Sequence, residues 1–433
     1  MKPRLRIVLI FLVFFLGCLL LQLAYNPFFK PLLRADYWRT VGKIGEVLRI
    51  VHVSHVDEEN ATFEELSDEA LAGMLQSLDR YSNYLPAEQY EEYRRSSRME
   101  YVGIGVEVNE IEERVTIVQV FEGGSAQKAG FLPGDRIIAV DEEDTSGLNL
   151  RQVIQRIKGP PGTPVTIRVE RPLPKGELKF KVMRRSLMIP AVSNVQVMEK
   201  RVGYLHINRF TEETATLLRE SLDFLKQEGV QSLVLDLRGN PGGLLTSSVK
   251  VASEFLEDGQ LVVGVRGRDE KKSEELVALV DGRKWEAPIA VLMDQASASA
   301  SEILAGALKT HGLAKVIGVA SVGKGTVQTV YDLKGDAGMI LTTAKYYLPD
   351  GTTIAGKGIL PDKEVTISGS DWSLIRLSLL HRSTFDSREI FEKTFGFKPM
   401  EDPQLEAALQ SLGKHELPVA EVEDVGTTQE QGL

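Results

Sequence analysis

The sequence predicts an α/β core with a mostly parallel sheet and flanking helices, together with an inserted β-rich module, a helical region and an amino-terminal transmembrane helix. Three observations carry this prediction: an apolar run near the amino terminus, short β-rich runs between glycine turns in residues 99–187, and buried strands that alternate with helices in residues 188–370. Strands that alternate with helices favour a parallel sheet covered on both faces. The predicted divisions are 1–35 (cytoplasmic stub and anchor), 36–98 (helical region), 99–187 (module), 188–370 (core) and 371–433 (helical segment and acidic tail).

The composition excludes several classes of protein. The 433 residues are 43% hydrophobic and 26% charged, which is enough apolar material for a folded core. A formal net charge of −10 disfavours binding to a phosphate backbone, so no nucleic-acid partner is expected. The single cysteine, Cys18, rules out an intramolecular disulfide and a thiolate zinc site, and the histidines include no H-x-x-x-H pair. We therefore expect no metal and no cofactor.

The amino terminus has the pattern of a membrane anchor. Lys2, Arg4 and Arg6 precede an apolar run from Ile7 to Ala24, whose eighteen residues span about 27 Å as a helix. Because the positive flank comes first, the amino terminus is expected in the cytoplasm. The predicted location is the cell inner membrane, single pass, with the bulk of the chain on the periplasmic or extracellular side. A cleaved signal followed by secretion, and lipidation at Cys18, are the alternatives.

The helical region and the module are predicted from local spacing. Thr62 and Glu65 have the spacing of a capping box, which starts a helix. In the module, a helix from Leu150 to Lys158 carries Val153 and Ile157 on one face. The predicted strands of the module are 101–108, 115–120, 137–140 and 165–169.

The core is predicted from nearly all-apolar strands, as expected of strands buried on both faces. These strands are 202–207, 232–237, 289–293 and 316–319, with helices at 214–228 and about 245–256. In open parallel sheets, ligands bind at the carboxyl ends of the strands. Functional residues are therefore expected in the turns that follow these strands.

A serine-rich turn follows the strand 289–293. Ser297, Ser299 and Ser301 alternate with alanine, and Glu302 comes next. One interpretation is a capping box formed by Ser299 and Glu302, which only starts the next helix. The other is a nucleophile beside the free N–H groups of a helix amino terminus, with the N–H of Ala300 as an oxyanion donor. The residues alone do not choose among the three serines.

Lys324 is the candidate general base. It lies between Gly323 and Gly325 among apolar neighbours, where loss of solvent favours the neutral amine. Gln328, four residues on, lies on the same side of a strand or helix and can orient that amine. The alternative is an ordinary surface lysine in a glycine turn. A nucleotide-binding loop at 318–325 is a further alternative, but Gly325 stands where that motif needs Ser or Thr.

A glycine-rich turn, Arg238-Gly239-Asn240-Pro241-Gly242-Gly243, follows the strand 232–237. Paired glycines let backbone N–H groups approach a substrate closely. The alternative is an ordinary strand-to-helix turn.

Together these residues resemble the carboxyl-terminal processing proteases, or tail-specific proteases, which are serine endopeptidases with a PDZ domain. The resemblance covers roughly residues 60–370. Its markers, in order, are Leu78-Asp79-Arg80-Tyr81-Ser82, Gly103-Ile104-Gly105, Ala126-x-x-Ala129-Gly130, Leu235-Asp236-Leu237-Arg238, Ser297 to Glu302, and Gly323-Lys324-Gly325-x-x-Gln328. This chain departs from the family pattern at two positions: it has Ser125 where the family often has proline, and Val322 where the family commonly has an aromatic residue. The resemblance implies a crotonase/ClpP-like core.

The resemblance also implies the roles of the site residues. Ser299 matches the nucleophile, Lys324 the base and Gln328 the residue that orients the lysine. The oxyanion donors would be the N–H groups of Gly243 and Ala300.

The module at 99–187 looks like a PDZ domain, which captures the carboxyl terminus of an extended peptide. The peptide-binding residues would be Gly103, Ile104, Gly105, Val106, Val153 and Ile157. The implied partners are proteins or peptides with apolar carboxyl termini, the membrane, an adaptor protein, and a second copy bound through residues 36–98. The expected function is tail-directed cleavage of extracytoplasmic proteins, with the module blocking the site until a tail binds. The alternative is a catalytically inert PDZ-type scaffold.

Overall fold

The structure is a computed structural model that describes residues 14, 15, 17, 29–269, 273–281, 284–382, 384–385 and 387–413. The expected anchor at residues 7–24 lies almost wholly outside these residues, as does the expected acidic tail. In the described part of the chain, no helix has the length and apolar character needed to cross a membrane.

The chain divides into two compact units, of which the first comprises Met1–Glu88 and Val330–Leu341. Its elements are α1 (Ala35–Ser54), α2 (Phe63–Gln76) and β1 (Asn83–Leu85), which pairs antiparallel with residues 338–340. One half of the predicted capping box is present: the Thr62 hydroxyl accepts from the Glu65 N–H at 3.2 Å, while the Glu65 carboxylate accepts from the Thr62 hydroxyl at 3.1 Å. Leu75, Tyr84 and Ala337 form the small core of this unit.

The second unit comprises Gln89–Thr329 and Thr342–Leu433, and it includes the β-rich module and all but the first two residues of the helix α3 (Ala87–Ser97). The elements of the module are β2 (Glu100–Gly103), β3 (Val106–Ile111), β4 (Arg114–Val120), α4 (Ser125–Ala129), β5 (Arg136–Val140), β6 (Glu143–Asp144), α5 (Leu150–Ile157), β7 (Pro164–Arg171), β8 (Gly176–Met183) and β9 (Arg185–Met188). The main sheet has the order β3-β4-β5-β7-β8 with antiparallel pairing, so β3 is an edge strand. Ile117, Val153 and Ile167 are completely buried in its core.

The α/β core and the carboxyl-terminal helices follow the module. Their elements are β10 (Val192–Met198), β11 (Val202–Ile207), α6 (Thr214–Gln227), β12 (Ser232–Asp236), α7 (Leu245–Ala252), β13 (Leu261–Gly267), β14 (Glu274–Val277), β15 (Ile289–Met293), α8 (Ala300–Thr310), β16 (Ala314–Gly318), β17 (Thr326–Asp332), β18 (Gly338–Tyr347), β19 (Lys363–Glu364), α9 (Gly369–Leu380), α10 (Arg388–Phe395) and α11 (Pro403–Leu412).

A six-stranded sheet of order β10-β11-β12-β15-β16-β19 forms the centre of the core. Side chains alternate between its two faces, because successive residues of a strand point in opposite directions. Leu233 and Leu235 pack in the large cluster with α6, α7 and α8, whereas Val234 packs in the cluster that contains Leu405 and Ala408 of α11. Both faces are therefore covered, and the strand ends at one edge remain for the site.

The prediction of a mostly parallel sheet is confirmed for the central sheet of the core, but the described strand pairs of the chain as a whole are mostly antiparallel. Parallel pairing occurs between β11, β12, β15, β16 and β19, while β10 joins this sheet antiparallel. The strands 261–267, 274–277 and 344–347 form antiparallel pairs that the sequence did not indicate. Val262, Val263 and Tyr346 are buried, but the other residues of these strands are half-buried or exposed, so the strands lack the continuous buried run of a central strand.

Candidate active site

Ser299 lies at the corner between a buried strand and a helix. Strand β15 ends at Met293 and helix α8 begins at Ala300, so Ser299 is the N-cap residue. Its backbone has φ 57° and ψ −115°, a conformation that non-glycine residues rarely adopt. Strained residues held at strand-to-helix turns concentrate at functional sites, where the turn presents the side chain.

The three serines of this turn differ in exposure and in hydrogen bonding. Ser297 and Ser301 are completely buried. The Ser297 hydroxyl donates to the Leu237 carbonyl at 2.9 Å, and the Ser301 hydroxyl donates to the Asn240 carbonyl at 3.0 Å. Ser299 is only partly buried. Two of the three hydroxyls therefore hold the neighbouring loop, and Ser299 is the one of the three serines with exposed surface.

Glu302 connects the segment of Ser299 to the segment of Lys324. Its carboxylate is fully buried and accepts from the N–H groups of Ser299 at 2.7 Å and Lys324 at 3.0 Å, both on Oε2. Its other oxygen accepts from the Gly323 N–H at 2.7 Å and the Ser321 hydroxyl at 2.5 Å. The backbone nitrogens of Ser299 and Lys324 are thus no farther apart than two hydrogen bonds end to end. The sequence indicated Glu302 only as a capping residue.

The glycines on either side of Lys324 are required by a second loop. A Cβ on Gly323 would lie 2.9 Å from the Gly358 nitrogen, and one on Gly325 would lie 2.6 Å from the Ala355 nitrogen. Gly323 also has a positive φ of 78°. Larger residues cannot occupy these positions without moving backbone, so the loop around residues 355–358 packs directly against the lysine segment.

Lys324 is half-buried, and this lowers the pKa of its amine from the usual 10.5. Burial is the main cause, since it disfavours the charged ammonium. The negative charge of Glu302 raises the pKa of Lys324, and the positive charge of Arg209 lowers it. The neutral amine, which can accept a proton, is therefore easier to reach than in an exposed lysine.

Gln328 lies in β17, which begins two residues after Lys324. Its amide nitrogen donates to the Thr326 hydroxyl at 2.8 Å and to the Thr342 hydroxyl at 3.4 Å. These bonds orient the amide and leave its carbonyl oxygen as an acceptor for a further donor.

The glycine-rich turn after β12 packs against Ser299. A Cβ on Gly242 would lie 2.7 Å from the Ser299 Cβ, so the close approach requires glycine. The Leu244 N–H donates to the Phe210 carbonyl at 2.8 Å. The Phe210 N–H donates to the Gly242 carbonyl at 3.0 Å, so the bridge between Phe210 and Gly243 does not use the Gly243 N–H.

Ala300 is the first helical residue of α8, and the first N–H groups of a helix have no acceptor within the helix. A Cβ on Gly242 would lie 3.0 Å from the Ala300 nitrogen, so the residue before Gly243 is adjacent to the start of α8. Asn240 holds the turn in place, since its side chain donates to the Ile207 carbonyl and accepts from the Gly242 N–H, both at 2.8 Å.

Asp294, which sequence reasoning missed, links the two turns. Its carboxylate accepts from the Gly239 N–H at 2.9 Å and from the N–H groups of Ala296 and Ser297 at 3.0 Å. The available signal was its place directly after β15, at the carboxyl end of a buried strand.

A groove of about 650 Å³ lies at the expected peptide-binding residues of the module. Gly103, Ile104, Gly105, Val106 and Ile157 line it. The side chains of Arg376 and Leu380 from α9 close another part of its wall.

Val153 is a correction to the expected groove. It is completely buried in the core of the module, and Ile154 lines the groove instead. Adjacent residues of a helix point about 100° apart, so an error of one position moves a side chain from groove to core.

The nucleotide-binding alternative finds no support in the local structure. Residues 319–325 lead into the strand β17, whereas a phosphate-binding loop of that type leads into a helix whose amino terminus binds the anion.

Comparison with known proteins adds independent information. A sequence profile of peptidase family S41 matches residues 201–365, and one of the PDZ domain matches residues 116–171. The chain is 38% identical over 325 residues to the carboxy-terminal-processing protease of Bartonella bacilliformis, covering 74% of this chain and 73% of that one. It is 34% identical over 324 residues to the carboxy-terminal processing protease CtpB of Bacillus subtilis, covering 74% and 66%, respectively. A crystal structure of an S41 protease from Bacteroides fragilis is similar in fold, with a TM-score of 0.55 and 18% identity over 79% of this chain and 90% of that one.

Proposed function

The chain belongs to peptidase family S41 and is a serine-type peptidase with a PDZ domain, and from this premise we propose that it cleaves proteins through a Ser299–Lys324 dyad assisted by Gln328. The observation that carries the proposal is the Glu302 carboxylate, which accepts from the N–H groups of both Ser299 and Lys324. A nucleophile needs a base within hydrogen-bonding reach, and this shared acceptor keeps the two segments adjacent.

The proposed reaction begins when the neutral Lys324 amine takes the proton of the Ser299 hydroxyl. The serine oxygen attacks the scissile carbonyl, and the N–H groups of Gly243 and Ala300 stabilise the oxyanion. The lysine ammonium then gives its proton to the leaving amine, which departs as the new amino terminus. The same amine then deprotonates a water molecule, which attacks the acyl carbonyl, and the ammonium formed returns its proton to the Ser299 oxygen as the acyl group leaves. The Gln328 carbonyl oxygen orients the ammonium that forms in each half of the reaction.

The proposed substrates are extended or unfolded proteins with apolar carboxyl termini. Support comes from the groove, where β3 pairs only with β4 among the described strands and Ile104, Ile154 and Ile157 contribute apolar surface. A peptide strand can add to such an edge, with its carboxylate on the N–H groups of the loop at 102–105.

The remaining expectations are proposals that rest on the sequence. They comprise the division into domains at 35, 98, 187 and 370, the crotonase/ClpP-like core, the inner-membrane anchor at 7–24 and action on extracytoplasmic proteins. They also comprise a homodimer formed through residues 36–98, an adaptor protein, and blocking of the site by the PDZ domain until a tail binds. Deletion of 101–187 tests the last of these, since unchanged tail preference in that variant contradicts it.

The experiment uses the full chain in detergent and an unfolded reporter protein with two apolar residues at a free carboxyl terminus. We expect cleavage by the wild-type chain and none above background by Ser299→Ala or Lys324→Ala. Lys357→Ala is the matched control, because Lys357 is exposed and lies in the loop that packs against the lysine segment. Reporter with an amidated terminus should be cleaved more slowly. Full activity in either dyad variant refutes the mechanism, and tail binding without any cleavage by the wild type identifies an inert scaffold.

A further inference from the structure

The carboxyl-terminal helices contact the catalytic core through one buried arginine. The Arg238 guanidinium is 1% exposed and pairs with Asp236 at 2.5 Å, in the strand just before it. Its Nη1 lies 2.8 Å from the Asp402 carboxylate and 3.1 Å from the Gln404 side-chain oxygen. The Trp372 ring of α9 lies 4.6 Å from the guanidinium carbon. Three contacts of Arg238 thus come from residues beyond 365, where the family profile ends.

Arg238 is the first residue of the turn that carries the proposed oxyanion donor. Its N–H donates to Asp236 at 2.9 Å, and its carbonyl accepts from the His206 ring at 2.9 Å. The next N–H, that of Gly239, is held by Asp294. A shift of the Arg238 side chain therefore moves the start of a short turn that ends at Gly243.

The buried guanidinium of Arg238 requires more than one partner for its N–H groups. A guanidinium has five N–H donors, and Asp236 takes only those on Nε and Nη2. The ion pair with Arg238 outweighs burial and holds the pKa of Asp236 below its usual value. Without Asp402, the Nη1 side of this buried cation would keep its hydrogen bond to Gln404 but lose the negative charge beside it, which a protein interior does not tolerate well.

Asp402 divides its carboxylate between two tasks. Oδ2 pairs with Arg238, while Oδ1 accepts from the N–H groups of Gln404 and Leu405 at 3.0 Å and so caps α11. Asparagine caps helices about as well as aspartate. Asp402→Asn therefore keeps the helix and removes the charge beside Arg238.

We propose that Asp402 and Trp372 are positioning residues of the active site, which hold Arg238 and thereby set the place of the Gly243 oxyanion donor. The inference rests on the proposed function of that donor. It assigns the carboxyl-terminal helices to the catalytic apparatus, although they supply no reacting group.

The test compares full-length Asp402→Asn with Glu401→Gln, a matched loss of one charge at the exposed neighbouring residue. Three quantities are measured: the single-turnover rate of acylation by a reporter peptide, the affinity for a non-cleavable tail peptide, and the affinity for a peptidyl boronic acid. The boronate forms a tetrahedral adduct and reports the oxyanion site. A displacement of about 1 Å in a catalytic group can cost about 100-fold in rate.

For Asp402→Asn we expect acylation and boronate affinity to fall together by about 10- to 100-fold, with tail affinity within about twofold of wild type. Glu401→Gln should match wild type in all three. Wild-type acylation by Asp402→Asn overturns the inference, as does a parallel loss of tail affinity, which would indicate general disturbance. If Asp402→Asn fails to fold, Trp372→Leu decides, with a smaller loss of the same kind expected and no loss overturning the inference. Absence of acylation in the wild type refutes the proposed function itself.

Discussion

Replacing Glu302 by glutamine tests whether one buried carboxylate holds the site together. All four partners of Glu302 are donors, so an amide NH₂ in place of one oxygen meets donors instead of supplying an acceptor. If the NH₂ faces Ser299 and Lys324, two N–H groups lose their acceptor. If it faces Ser321, that hydroxyl can turn to accept, and only the Gly323 N–H loses its partner.

The cost follows from the number of bonds lost. A hydrogen bond to a charged group contributes about 1.5–3 kcal/mol, so the first orientation costs about 3–6 kcal/mol and the second about 1.5–3 kcal/mol. Glu302 is fully buried, so water cannot replace the lost acceptor. We expect the free energy of unfolding of Glu302→Gln to fall by at least about 1.5 kcal/mol.

The substitution should change both the rate of acylation and the pH dependence of that rate. Acylation of Ser299 should slow by about 10- to 100-fold, because the two segments lose part of their common anchor. The negative charge of Glu302 raises the pKa of Lys324, so its removal lowers that pKa further. The rising limb of the pH–rate profile should therefore move to lower pH in this slower enzyme.

The assays are urea unfolding followed by circular dichroism and single-turnover acylation between pH 6 and 10. Glu65→Gln is the matched control, because Glu65 occupies the same capping-box position at the exposed start of α2. It should change stability by no more than about 0.5 kcal/mol and leave acylation unchanged. The reasoning fails if Glu302→Gln has the stability, rate and pH profile of the wild type.

Three further predictions concern the base, the oxyanion turn and the groove. The kcat/KM of the wild type should rise with pH and level off below pH 10.5, because the pKa of Lys324 is lowered and only its neutral form accepts a proton; a flat profile from pH 6 to 9 contradicts this. Gly243→Ala should abolish peptide cleavage, because its Cβ would overlap the Phe210 carbonyl oxygen. Gly239→Ala should retain more activity, because its Cβ would meet nothing within 4 Å. Equal rates for the two variants would contradict the role of Gly243 as an oxyanion donor. Ile154→Ala should weaken tail binding with little loss of stability, while Val153→Ala should lower the free energy of unfolding in urea by about 1–3 kcal/mol. The reverse pattern would show that Val153, and not Ile154, binds the tail.

The sequence predicted the family, and the comparisons confirm it, because the decisive signals are local. Glycines at strand ends and the spacing of serine and glutamate follow from turn and cap geometry, which a few consecutive residues determine. The buried apolar strands at 232–236 and 289–293 were likewise predicted from their composition.

What the sequence could not predict depends on contacts between distant residues. Ser297 and Ser301 differ from Ser299 because their hydroxyls meet the carbonyls of Leu237 and Asn240, about 60 positions earlier. The pairing of Asp402 with the arginine after β12 joins still more distant segments, so neither residue alone indicates it. Choosing the reactive serine and finding the partner of Arg238 require the three-dimensional fold. The positions of the candidate turns could be predicted without it.

The most direct test of the proposed chemistry is rapid-quench mass spectrometry of the full chain mixed with a tail-bearing peptide. We predict a transient acyl adduct whose mass equals the amino-terminal fragment of the peptide, located on Ser299, and no such adduct in Lys324→Ala. An adduct on another residue, or formation on Ser299 at the wild-type rate without Lys324, would contradict the Ser299–Lys324 dyad.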